Sequence, residues 1–107
     1  MKPVRVRPLA DADIDTASAY LRRHDPEAAS RLLAALERAF RELARHPGAG
    51  SPRYAHVLPA EGLRMWPVAG SAYLIFYLEY LERADHIDIV RVLHGARDIP
   101  VLLRDVS

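Results

Sequence analysis

The stretch IDIVRVLHGARD, residues 87–98, is the most informative part of this chain. Its first seven residues are mostly isoleucine, valine and leucine, a composition typical of a strand that is buried inside a sheet. A histidine, a glycine, an arginine and an aspartate follow directly after that strand. Because binding and catalytic groups are often held at the edge of a rigid scaffold, the stretch predicts a buried strand and a candidate site at its end.

Three other segments of the chain have the composition of strands. Residues 4–7 alternate apolar and basic side chains, which is typical of a short strand with one face exposed to solvent. Two further strand candidates precede the closing strand in the second half of the sequence, so that the three occupy residues 63–68, 73–81 and 86–93. The turns between them, at residues 69–71 and 82–85, have lengths typical of hairpins.

Two helices are predicted between the first strand and the second. Asp11, Asp13 and Asp15 crowd the start of the first helix, where acidic side chains favour the N-terminal end of the helix dipole. Pro26 ends this helix, because the residue before a proline is disfavoured in the helical conformation. The second helix has one apolar stripe at helical spacing, formed by Ala29, Leu32, Leu33, Leu36, Phe40 and Leu43. Two helices joined by so short a break predict an antiparallel hairpin.

The order strand, helix, helix, strand, strand, strand predicts an α+β fold in a single domain over residues 1–107. The helical hairpin is expected to pack on one face of a mainly antiparallel sheet. Residues 73–78 are apolar on both sides of their strand, so the second face predicts either an exposed apolar patch or a site for a partner. The tail at residues 99–103 predicts a short helix that packs on the domain, or a handle for a partner.

Composition excludes several classes of protein. The chain has no cysteine, which excludes disulfides, thiolate metal sites and a cysteine nucleophile. Its histidines lack metal-ligand spacing, so neither a metal nor a cofactor is expected. The longest apolar run, residues 73–78, is far too short to cross a membrane, and the N-terminal residues lack the apolar core of a signal peptide. A cytoplasmic protein is therefore predicted.

The charge of the chain is nearly balanced at +1, but arginine supplies 14 of its 15 basic residues. Arginine suits bidentate contacts to carboxylate or phosphate groups. A biased genome composition explains the same excess without any function. Acidic residues are nearly as numerous and are interspersed with the arginines, so direct sequence-specific binding of nucleic acid is not expected.

Four short motifs, taken in order, resemble those of a known family. They are FRELARHP at residues 40–47 with Gly50, GLR at 62–64, YLIFY at 73–77 and VRVLHGARD at 90–98. Together they resemble the toxins of the RelE/ParE superfamily, the toxic halves of bacterial type II toxin–antitoxin pairs. The resemblance spans nearly the whole chain, and the VLHGARD ending is similar to that of the ParE branch.

The resemblance implies a compact sheet with a helical hairpin against it. It also implies a partner, a cognate antitoxin that is ParD-like or similar and is encoded beside the toxin. The disordered C-terminal segment of this antitoxin folds onto the toxin. For members of the ParE branch it implies plasmid stabilisation and inhibition of DNA gyrase without catalysis. The alternatives are a RelE-like endoribonuclease that cleaves mRNA in the ribosome, and a non-toxic remnant that only binds antitoxin.

Five residues are candidates for contact with the antitoxin or the target: Arg64, Tyr77, Arg91, His94 and Arg97. Arg64 is either a solvated arginine on an outward face or a cation that meets an acidic antitoxin segment or a phosphate. Arg91 lies in an apolar strand, where an unpaired charge is costly. It therefore either forms an internal ion pair, with Glu79 or Asp88, or contacts a partner. His94 is either a hydrogen-bonded residue at the strand end or a proton carrier.

For the endoribonuclease alternative, the catalytic candidates are Arg64, Arg91 and His94. Cleavage of RNA through its 2′-hydroxyl needs a base, an acid and cations around the phosphate. Glu61 is a further candidate for the base in that reaction. Lysine is absent after Lys2 and tyrosine is absent after Tyr80, which favours binding over catalysis in this chain.

Overall fold

The structure, a computed structural model, describes residues 1–56, 62–79 and 86–104. Its elements are strand β1 (Val4–Val6), helices α1 (Pro8–His24) and α2 (Pro26–Arg45), strands β2 (Leu63–Pro67), β3 (Tyr73–Glu79) and β4 (Ile87–His94), and helix α3 (Ile99–Leu103). The order of these elements is the one predicted from the sequence. The predicted turn at residues 82–85 and the candidate base Glu61 lie outside the described residues.

The four strands form one sheet in the order β1-β4-β3-β2. Strand β3 is antiparallel to both β2 and β4, whereas β1 joins the other side of β4 in parallel. Strand β4 therefore lies inside the sheet, as its apolar composition predicts. The predicted α+β fold with a mainly antiparallel sheet is confirmed.

The helical hairpin forms because Asp25 ends α1 and begins α2. Its backbone is extended, and its side chain accepts hydrogen bonds from the backbone N–H groups of Glu27 and Ala28 at 3.1 and 3.3 Å. Pro26 occupies the first position of α2, where a helix does not need an N–H. The stripe of α2 then packs on one face of the sheet, in a core that includes Leu32, Leu36, Leu43, Ile75, Tyr77, Ile89 and Val92. Leu33, which was predicted in this stripe, is instead 39% exposed.

The second face of the sheet is covered by the chain itself. Phe76 and Leu78 lie in a separate core, to which α3 contributes Ile99 and Leu103. Tyr54 also packs there, with its ring 5.7 Å from that of Phe76. The expectation that this face is an exposed patch or a partner site is wrong for Phe76 and Leu78, because the C-terminal helix folds back on it.

Tyr77 fastens the segment after α2 to the sheet. Its side chain is fully buried, and its hydroxyl donates to the Pro47 carbonyl at 2.6 Å and accepts from the Gly50 N–H at 2.9 Å. Arg64 holds the other side of Gly50, because its Nη1 donates to the Gly50 carbonyl at 2.8 Å. A Cβ atom at Gly50 would lie 2.5 Å from the Tyr77 hydroxyl oxygen, so a larger residue does not fit there without a shift.

Replacing Tyr77 by phenylalanine should therefore lower the free energy of unfolding by about 1–3 kcal/mol, because the buried Gly50 N–H loses its acceptor. Urea unfolding followed by circular dichroism measures this change. The matched control is Tyr73→Phe, which removes a hydroxyl from a half-buried tyrosine on the same strand and should cost less than about 0.5 kcal/mol. Equal losses in the two variants would contradict the role given to the Tyr77 hydroxyl.

Candidate functional site

Arg91 forms a two-pronged ion pair with Asp13 of α1. Its Nε and Nη2 atoms donate to the two carboxylate oxygens at 2.7 and 2.8 Å. Only 11% of the arginine side chain and 14% of the aspartate side chain are exposed. The remaining Nη1 donates to the carbonyl of Leu102 in α3 at 3.2 Å. One guanidinium group therefore ties α1, β4 and α3 together.

The carboxylate of Asp13 also completes the hydrogen bonding of β4. Strand β1 pairs only with the first part of β4, and its last residue, Val6, lies opposite Ile89. Beyond that point the Val92 N–H donates to Asp13 Oδ2 at 3.0 Å. Because a buried N–H needs an acceptor, the carboxylate takes the place of the strand neighbour that β1 does not provide.

The sequence leaves two interpretations of Arg91, an internal ion pair or contact with a partner; the internal pair is present, but the two residues proposed for it are wrong. Glu79 and Asp88 each pair with a basic residue of the N-terminal segment, at 3.0 and 2.9 Å respectively. The actual partner, Asp13, lies 78 residues away in the sequence, so no local spacing relates the two side chains. Contact between Arg91 and another protein stays a prediction.

Arg64 and Tyr77 lie opposite each other on β2 and β3. Both side chains are engaged around Gly50, so Arg64 is not the solvated arginine that one interpretation of the sequence expects. Burial raises the pKa of Tyr77 above its ordinary value, so the hydroxyl keeps its proton and remains a donor. In this arrangement both residues hold the protein together from within.

His94 and Arg97 are exposed where β4 ends. The Nδ1 atom of His94 accepts from the Ala96 N–H at 3.0 Å, and its ring meets that of Tyr73 edge-on with centroids 5.3 Å apart. Burial, with a smaller contribution from neighbouring Tyr20, raises the pKa of Tyr73, which therefore stays neutral. His94 and Arg97 are the part of the predicted site that another molecule can reach.

The five predicted residues do not form one centre. Strand β3 separates Arg64 on β2 from β4, a distance of about 10 Å across the sheet. Arg64 pairs with Tyr77, whereas His94 pairs with Tyr73 at the far end of the same strand. Since Arg64 and Arg91 also donate to acceptors inside the protein, their charges are not directed at a common point.

A groove with a volume of 490 Å³ lies beside His94, between the helical hairpin and the turn at residues 69–72. Its lining includes Tyr20 of α1 and two arginines of α2, Arg31 and Arg38. None of these three residues is among the five candidates from the sequence. The sequence does show that Arg31 and Arg38 are seven residues apart, a spacing that places two residues on one face of a helix.

The described residues contain neither a candidate metal cluster nor a candidate membrane-spanning helix. None of them forms a group of three or more histidine, cysteine or carboxylate side chains that could hold a metal ion. Among the described helices, none combines the length and apolar character needed to cross a membrane.

The helical hairpin, the sheet and the short C-terminal helix define the class of protein. A solved structure described as the chromosomal ParDE TA system from P. aeruginosa has the same fold, with a TM-score of 0.68 and 18% sequence identity over 88% of this chain and 96% of that chain. A family model described as the ParE toxin of the type II toxin-antitoxin system, parDE, matches residues 4–99. The chain therefore belongs to the ParE toxin family. No curated protein matches it in sequence.

Replacing Asp13 by asparagine should destabilise the protein by about 3 kcal/mol, because Arg91 then stays largely buried without a counter-charge. Asp13→Ala should cost about 1 kcal/mol more, since the Val92 N–H also loses its acceptor. Chemical unfolding measures both changes.

The control for these variants is Asp15→Asn, which removes the same charge from an exposed position of α1. It should change the free energy of unfolding by less than about 0.5 kcal/mol. A similar loss in Asp13→Asn and Asp15→Asn would contradict the structural role of the ion pair.

Proposed function

We propose that this protein is a toxin that acts in the cytoplasm by binding and inhibiting DNA gyrase, and that an antitoxin encoded beside it neutralises it. The family match over residues 4–99 carries this proposal, because that family is the toxin of the parDE system. Gyrase as the target and neutralisation by the antitoxin are the parts that experiments must test.

The geometry supports a binding protein over an enzyme. Two of the three catalytic candidates for RNA cleavage, Arg64 and Arg91, donate to acceptors inside the protein. The third, His94, uses its Nδ1 atom to accept a backbone N–H. Cleavage of a phosphodiester needs cations and proton carriers gathered around one phosphate. Arg64, Tyr77 and Arg91 are better suited to hold the backbone in place beneath a binding surface.

The turn after β4 is the proposed contact with the target. His94 and Arg97 are exposed there, and the Arg97 N–H donates to the His94 carbonyl at 3.0 Å. The Gly95 N–H donates to the Ala72 carbonyl at 2.8 Å, which fastens this turn to the preceding hairpin. A turn held in this way loses little conformational freedom on binding, which favours affinity.

The purified protein should inhibit the supercoiling of relaxed plasmid DNA by gyrase. His94→Ala/Arg97→Ala should raise the concentration needed for half-inhibition by about tenfold, the scale of one contact with substantial binding energy. The matched control is Arg41→Ala/Arg45→Ala, which alters two exposed arginines of α2 outside this turn. Unimpaired gyrase across a wide excess of the protein would overturn the proposed target.

Expression in cells without the neighbouring gene should arrest growth, and co-expression with it should restore growth. Sequencing of mRNA ends after induction separates the two toxic mechanisms. New ends that disappear in His94→Ala would establish the endoribonuclease alternative instead. Normal growth at a high level of folded protein would identify a non-toxic, antitoxin-binding remnant.

A further inference from the structure

His94 has two ring nitrogens, and the protein itself uses only one of them. Nδ1 accepts the backbone N–H of Ala96 at 3.0 Å, two residues further along the chain. A nitrogen that accepts a hydrogen bond has no proton of its own, so the neutral ring carries its proton on Nε2. Nε2 has no hydrogen-bond partner among the described residues, and the side chain is exposed. The turn therefore fixes which atom of His94 is left to donate.

The ring of His94 is also held against the sheet. His94 lies opposite Tyr73 on β3, and the two rings meet at 79° with centroids 5.3 Å apart. The Arg97 N–H closes the turn on the His94 carbonyl at 3.0 Å. A ring that is hydrogen-bonded at Nδ1 and packed on a tyrosine has few rotamers open to it, so Nε2–H has a defined direction before a partner arrives.

Gly95 lets the turn approach the neighbouring hairpin closely. Its N–H donates to the Ala72 carbonyl at 2.8 Å. A Cβ atom at this position would lie 3.3 Å from that carbonyl oxygen and 3.7 Å from Cδ1 of Leu74, so the turn or its neighbour would have to shift by a few tenths of an ångström. The φ angle of Gly95 is not in the left-handed region, so the requirement is one of space. Gly95 is therefore a positioning residue for His94.

The charges of the turn indicate which kind of molecule it meets. With His94 neutral, residues 94–98 carry one cation, Arg97, and one carboxylate, Asp98, so their net charge is zero. Sites that hold the phosphates of nucleic acids gather several cations. A neutral donor on a turn without net charge is better suited to a carbonyl or carboxylate oxygen of a protein.

We infer that His94 contacts the target as a neutral imidazole whose Nε2–H donates to an oxygen atom of a protein, and that Ala96 and Gly95 set the tautomer and the position of its ring. The inference rests on the proposed function, because the target is gyrase. It goes beyond that function by naming the donor atom at the contact and the chemical class of its acceptor.

Two amide side chains separate the roles of the two ring nitrogens. In His94→Asn the side-chain oxygen takes the place of Nδ1 and accepts the Ala96 N–H, as asparagine does in turns, but nothing replaces Nε2–H. In His94→Gln the longer side chain brings an NH₂ donor to the position of Nε2 and leaves the Ala96 N–H without its acceptor.

The supercoiling assay compares both variants with the unmodified protein. His94→Asn should raise the concentration needed for half-inhibition about fivefold, the scale of one lost hydrogen bond, whereas His94→Gln should stay within about twofold. Amide hydrogen exchange of Ala96 should show the opposite order, unchanged in His94→Asn and about tenfold faster in His94→Gln. A loss of structure would impair both measurements together, so opposite orders identify a direct contact.

Gly95→Ala tests the position of the ring and leaves its donor in place. It should raise the half-inhibitory concentration about threefold, because a hydrogen bond weakens when its donor moves out of line. The matched control is Gly48→Ala, since a Cβ atom there meets no heavy atom within 4 Å. The control should inhibit like the unmodified protein, and equal losses in the two variants would remove the positioning role of Gly95.

Nitrogen-15 NMR of the imidazole groups reports the tautomer directly. The His94 signals are identified by their loss in His94→Asn. At neutral pH they should show a proton on Nε2 and none on Nδ1. A proton on Nδ1, or on both nitrogens, would contradict the inference whatever the inhibition assay shows.

The remaining outcomes separate the inference from the proposed function. If the unmodified protein inhibits gyrase and His94→Asn inhibits equally well, Nε2–H makes no contact and the inference alone fails. It fails alone too if His94→Gln loses as much inhibition as His94→Asn. If the protein binds gyrase only when DNA is present and with a steep dependence on salt, the acceptor is a phosphate and the protein acceptor is wrong. If gyrase is unimpaired by the unmodified protein, the proposed target fails and the inference fails with it.

Discussion

The ion pair between Asp13 and Arg91 is the interaction on which the arrangement of α1, β4 and α3 depends. The arginine would carry an uncompensated charge in a strand whose residues 87–93 are all buried, and the aspartate supplies the opposite charge from the helical layer. The same carboxylate accepts the Val92 N–H, and the same guanidinium donates to the Leu102 carbonyl. One pair of side chains therefore sets how the first helix, the inner strand and the last helix meet.

This pairing has a consequence for the second face of the sheet. Helix α3 is only five residues long, and so short a helix is not stable by itself. It is held by the burial of Ile99 and Leu103 and by the hydrogen bond from Arg91 to Leu102. With α3 in place, β3 packs against a core on each of its faces, whereas His94 and Arg97 in the turn that follows β4 stay exposed.

The sequence indicated which residues are candidates for a site, but it did not indicate what each of them contacts. The spacing of apolar residues indicates that Arg91 interrupts a buried strand, and burial requires that it be paired. Its partner could not be found by the same reasoning, because Asp13 approaches only after α1 has packed on β4. Arg64 and Tyr77 likewise appear as candidate ligand contacts in the sequence. Their engagement around Gly50 follows from how the segment after α2 lies against the sheet, which a strand pattern does not encode.

The elements and their order could be predicted from the sequence alone, and the resemblance of its motifs indicated the family. Local rules suffice for the elements: the apolar stripe of α2, the break at Pro26 and the apolar run of β4 act over a few residues each. Which charged groups are internal and which are exposed depends on the tertiary structure. The exposure of a charged group depends on contacts between residues distant in the chain, such as Asp13 and Arg91, which are 78 positions apart. It also depends on the way the helical hairpin and a turn enclose a groove. Burial depends on how the helical layer and the sheet pack together, so it cannot be predicted from a short segment of the chain.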